Sequence, residues 1–63
     1  MPEVNSRLAL EMAEARELLA TYQITKKKVM TAERQEFIER MYGAGAVKRI
    51  VGYMTQLDNG EIT

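Results

Sequence analysis

From Thr31 to Leu57 the chain reads TAERQEFIERMYGAGAVKRIVGYMTQL, and its apolar side chains return at helical spacing throughout. Phe37, Met41, Ala44, Val47, Val51 and Met54 step by three and four residues, which sets them along one stripe of an α-helix. Thr31 is a good N-cap, because its hydroxyl can accept an unpaired backbone N–H of the first turn. Glu33 and Glu36 place negative charge near the positive end of the helix dipole. Asn59-Gly60 is a stop signal, of the kind that turns left-handed just past a helix end. Only Gly43-Ala44-Gly45 disturbs the pattern. A glycine inside a helix costs about 1 kcal/mol relative to alanine, yet the stripe keeps its phase across both. The expectation is therefore one helix over 31–57, kinked at 43–45. The alternative is a three-helix fold with a true turn there.

Upstream, residues 5–23 are rich in Ala, Leu, Glu and Arg, all strong helix formers, and Asn5 or Ser6 can cap them. Leu8, Met12, Ala15, Leu19 and Tyr22 share a face, with Leu18 beside it. Glu11, Glu14 and Glu17 fall largely elsewhere and read as a solvated face, or else as an acidic docking surface. Residues 24–30, ITKKKVM, form the connection. The β-branched Ile24 and Thr25 interrupt the helical composition. Lys26, Lys27 and Lys28 suit the negative pole of the first helix. Met30 can act as a hydrophobic staple ahead of Thr31.

These elements make an all-α fold: a helical hairpin with a short first helix and a long second one, in a single domain over 1–63. At 1.5 Å per residue the long helix reaches about 40 Å and overhangs its partner of about 27 Å. Pairing two hairpins hides the overhanging stripe, so a homodimer with a four-helix core is expected. Its seam is Leu8, Met12, Leu19, Phe37, Met41, Ala44, Val47, Val51 and Met54. The five methionines suit a seam of irregular gaps.

The chemistry of the chain is narrow. It has no cysteine and no histidine, so thiolate and imidazole metal sites and a Ser-His-Asp arrangement are excluded. No GxxxxGK[ST] phosphate loop occurs, and no carboxylate pair stands isolated as a catalytic pair does. A non-enzymatic protein without cofactor or metal is expected. Nine basic and nine acidic residues cancel, which makes nucleic acid an unlikely partner. No apolar run approaches the roughly 20 residues of a membrane span, and no basic-then-apolar signal opens the chain, so the expected location is cytoplasmic.

Met30-Thr31-Ala32-Glu33, then Arg49, Tyr53 and Leu57 at fixed spacing with Ile38 between, resemble the NblA-type phycobilisome-degradation proteins of cyanobacteria and cyanophages. In that family a Met-Ser-x-Glu pattern opens the long helix, an Arg and a Tyr follow four residues apart, and leucines stand near its end. Leu8-Ala9-Leu10-Glu11 is similar to the family's Leu-Ser-Leu-Glu, given a longer connection. Gly43 stands where the family has a tyrosine, Ile50 where it has an acidic residue, and Asp58 where it has a lysine. The resemblance implies an adaptor that binds phycobiliproteins through the C-terminal end of the long helix and promotes disassembly or degradation of the phycobilisome. A Clp-type protease is an implied second partner. The partner-binding residues would be Arg49, Tyr53, Gln56 and Leu57.

A second resemblance joins TAERQEFIERMYGAGAVKRIVGYM to helix-turn-helix segments of recombinase or small-terminase type. In that reading Ala46 to Leu57 is a recognition helix, and Lys48, Arg49, Tyr53 and Gln56 face DNA. A small DNA-binding or phage regulatory protein is the alternative function.

Overall fold

The computed structural model describes residues 3–61 and contains three helices: α1 (Glu3–Thr25), α2 (Ala32–Tyr42) and α3 (Ala46–Asp58). All regular structure among the described residues is helical, as the periodicity requires. The number of helices is not as expected: the stretch 31–57 is two helices joined by a turn, rather than one kinked helix.

Local chemistry explains each boundary. α1 starts earlier than the proposed caps, so Asn5 and Ser6 lie inside it. It ends past residue 23, where Lys26 takes a left-handed φ of 60° and donates its N–H to the Tyr22 carbonyl at 2.7 Å. The Thr25 hydroxyl donates back to the Thr21 carbonyl and accepts the Lys27 N–H, which fixes the exit. Thr31 caps α2 as anticipated, its hydroxyl accepting the Arg34 N–H at 3.1 Å. α3 closes on Asn59-Gly60 in a Schellman arrangement. The Glu61 N–H reaches the Gln56 carbonyl, the Gly60 N–H reaches the Leu57 carbonyl, and Gly60 supplies the positive φ of 79°.

Between α2 and α3 the helical ladder stops because Gly43 (φ 99°) and Gly45 (φ 82°) both leave the helical region, where residues with a Cβ are strained. Turning here lets α3 fold back onto α1, its main contact, with α2 in a smaller contact beside it. Arg49 of α3 meets Glu11 of α1, and Asp58 lines the same groove as Tyr22, so α1 and α3 run in the same direction. The core is Ala15 and Leu18 of α1, Ile38 of α2, and Ala46 and Ile50 of α3. Val29, Met30, Tyr42, Val47, Tyr53, Met54 and Leu57 pack around it.

This core lies beside the expected seam rather than along it. Leu8, Phe37, Met41, Ala44 and Val51 are exposed, while Met12, Leu19, Val47 and Met54 are half-buried. The buried line on α2 and α3 lies one residue away, at Ile38, Ala46 and Ile50, a rotation of about 100° around a helix. The turn is the cause. It frees α3 to rotate independently of α2, so one stripe need not serve both. On α1 the buried line runs through Glu11, Glu14, Ala15 and Leu18, and the solvated face expected for Glu11 and Glu14 is corrected with it. The fold measures 37 × 27 × 14 Å, a slab too thin to enclose all of its apolar side chains.

Ile50→Ala is expected to cost about 2–4 kcal/mol, comparable with the whole stability of a domain this small, whereas Val51→Ala costs about 0.5 kcal/mol. Urea midpoints would separate them. Equal losses would place the buried line back on Val51.

Candidate interaction surface

The polar side chains that could carry chemistry hold the helices together. Glu11 is 1 % exposed, and its carboxylate lies against the Arg49 guanidinium. Arg49 Nη2 donates to Glu11 Oε2 at 2.8 Å and Nε donates to Oε1 at 3.0 Å, while Nη1 donates to the Ala44 carbonyl at 3.2 Å. One side chain thus joins α1, α3 and the turn. The two-pronged bond to Glu11 raises the Arg49 pKa further above its ordinary value. Glu14, one turn on, accepts from Arg34 Nη1 at 3.3 Å and from the Tyr42 hydroxyl at 3.4 Å. Burial, and then the Glu14 charge, raise the Tyr42 pKa.

Glu39 has a different task. Gly45 has no side chain with which to cap α3. The Glu39 carboxylate reaches forward instead, accepting the N–H of Val47 at 2.9 Å and of Gly45 at 3.0 Å. It does from the preceding helix what an N-cap residue does locally. The bond from Val47, then that from Gly45, lower its pKa below the ordinary 4.5. No buried side-chain polar atom among the described residues lacks a partner, and those residues hold no acidic cluster suited to a metal.

The structure also holds an apolar surface feature. Between the C-terminal halves of α1 and α3 lies an open groove of about 290 Å³. Leu19, Val29, Met30, Val51 and Met54 form its walls, with Tyr22, Thr55 and Asp58 at its rim. Lys26 sits over the Tyr22 ring, its Nζ 5.9 Å from the centroid, so the rim offers both signs of charge. Two methionines make the walls adaptable to different side chains.

Of the residues assigned to partner binding, Gln56 alone is exposed. Arg49 is held by Glu11, and Tyr53 and Leu57 turn inward onto the core. They come to one face of α3, but it is the face that α3 buries. The groove is not legible in the sequence, although Leu19, Tyr22, Val51 and Met54 fall on apolar faces there. For the helix-turn-helix alternative the turn is present, Lys48 and Gln56 are exposed, and Tyr53 packs against the core. With Arg49 engaged, Lys48 is the basic residue that α3 leaves exposed, against Asp58 at its end. No helix among the described residues is long and apolar enough to cross a membrane. Comparison with family models, with curated proteins and with solved structures finds no match.

The Glu39 cap makes a signed pH prediction. A carboxyl with a lowered pKa in the fold stabilises it fully above the ordinary 4.5 and loses that contribution as pH falls through the folded value. Glu39→Gln is expected to have a lower urea midpoint than the wild type at pH 7 and a flatter decline between about pH 5 and pH 3. Identical acid limbs for the two proteins would remove Glu39 from the account.

Proposed function

We propose that this chain is a non-enzymatic protein-binding adaptor that takes an amphipathic helix of its partner into the α1–α3 groove. The observation that carries this reading is the groove itself: apolar walls with a polar rim, in a molecule where Glu11, Glu14, Arg34, Glu39 and Arg49 are engaged in holding its helices. A helix presenting apolar side chains at three- and four-residue spacing matches such walls, and one basic and one acidic flanking residue match Asp58 and Lys26. In its concrete form the adaptor acts in the cytoplasm on phycobiliproteins, which are themselves α-helical, and promotes phycobilisome disassembly or degradation. A Clp-type protease would be the enzyme recruited. The Met30–Leu57 resemblance supports that form. Because Tyr53 and Leu57 pack inward, we assign the contact to Tyr22, Val51 and Met54 rather than to the helix end. A homodimer belongs to this reading too, since Leu8, Leu10, Phe37 and Met41 remain exposed outside the groove.

The test uses immobilised protein and purified phycobiliprotein, with pigment absorbance read in the bound fraction. Wild-type protein should retain pigment. Tyr22→Glu and Val51→Asp, shown by circular dichroism to stay helical, should bind at least tenfold more weakly, a loss of about 1.4 kcal/mol or more. Folded wild-type protein that retains no pigment would overturn the phycobiliprotein form. Tight duplex binding that falls steeply between 50 and 200 mM salt would favour the DNA alternative.

A further inference from the structure

We infer that the Gly43–Gly45 turn is a hinge through which two copies of this chain exchange α3. In the exchanged dimer the turn is helical, α2 and α3 form one continuous helix, and each α3 packs on α1 and α2 of the other copy. The inference rests on the protein-binding reading and names a second copy of the chain as one partner.

Three observations meet at this turn. The first is conformational freedom. Gly43 and Gly45 hold φ of 99° and 82°, and glycine reaches the helical region from there without the barrier a Cβ imposes. A Cβ at Gly43 would meet nothing within 4 Å, so no side-chain packing fixes glycine there; its backbone angle is what does so. In the merged helix the N–H groups of Gly45 and Val47 pair with carbonyls four residues back, so releasing Glu39 leaves neither donor unpaired.

The second is that exchange preserves the core. α3 contacts α1 and α2 and is joined to them only through the turn. The Glu11–Arg49 pair and the packing of Ala46 and Ile50 on Ala15, Leu18 and Ile38 form equally well between copies.

The third is what exchange adds. Phe37, Met41 and Ala44 are all exposed in the bent form. In a continuous helix they stand at i, i+4 and i+7, within about 60° of one another, along a line that runs into the hinge. Two merged helices of an exchanged pair cross at that point, and Ala44 and Gly45 are small enough for close approach there. The bent monomer leaves this line in water; the exchanged dimer covers it with its own copy.

Charge reversal tests the exchange directly. Glu11→Arg and Arg49→Glu, made in separate chains, each set like charges together within a chain. Mixed one to one, they restore both opposite-charge pairs only if α3 crosses between copies. The expected result is that each variant alone loses at least half of its helicity, and that the mixture regains it as a heterodimer of twice 7.2 kDa by sedimentation. A chain carrying both reversals serves as the control for the reversed pair. If that control folds and mixing restores nothing, exchange is overturned; single variants that fold as monomers with no gain on mixing overturn it as well. If the control does not fold, Gly43→Ala/Gly45→Ala decides. Alanine strains the bent turn, where a Cβ at Gly45 meets Arg49 Nη1 at 3.3 Å, and favours the merged helix. A dimer at least tenfold tighter than wild type supports exchange, and a compact monomer or an unfolded chain overturns it. Neither arm contains phycobiliprotein, so failure here leaves the pigment-binding test standing, and failure there leaves this one.

Discussion

A carboxylate with almost no contact with water has to be answered in place, and the structure is arranged around the answer given to Glu11. Desolvating a carboxylate is costly unless its oxygens are bonded to an opposite charge in good geometry. Arg49 does this with two nitrogens of a planar fork, the arrangement in which an arginine outperforms a lysine. The requirement fixes more than a pair. It sets which face of α1 meets α3 and how far α3 slides along it. Through the bond to the Ala44 carbonyl, it also sets where the turn lies. The apolar core itself is small, two alanines, a leucine and two isoleucines. In such a core, apolar burial drives association, and the ion pair selects one arrangement among several of similar burial.

The ends of the helices were legible in the sequence and their rotation was not. Thr31 and Asn59-Gly60 act through backbone groups within a few residues, so their effect is local and readable. Glycines at 43 and 45 marked the right place without deciding between kink and turn, since that choice depends on whether α1 rewards folding back. The apolar doublets explain why the core lies beside the expected seam. Phe37-Ile38, Ala46-Val47 and Ile50-Val51 each offer two neighbouring candidates, so the sequence supports two stripes a residue apart. Tertiary contact chose Ile38, Ala46 and Ile50. The same gap hid the role of Glu11 and Glu14, because a glutamate whose partner lies on a distant segment looks like any solvated one. The inward turn of Tyr53 and Leu57 follows from the chosen stripe, and it moved the candidate surface from the end of α3 to the groove beside it.

Glu11, Glu14, Arg34, Glu39, Tyr42 and Arg49 all bond to groups in other elements or in the turn. Side chains held in this way position the helices against one another. The groove between α1 and α3, by contrast, is walled by apolar side chains.

Because α1 and α3 run in the same direction, α2 must carry the chain back from the end of one to the start of the other. Its 11 residues, about 16 Å of helix, therefore work as a ruler. Lengthening α2 by one turn would keep every face in place yet carry α3 about 5.4 Å along α1, well beyond the 2.8 Å bond between Arg49 and Glu11. The length of the least-packed helix is thus as strictly specified as any core side chain. Insertions that conserve helical phase, harmless in most surface helices, are forbidden in this one.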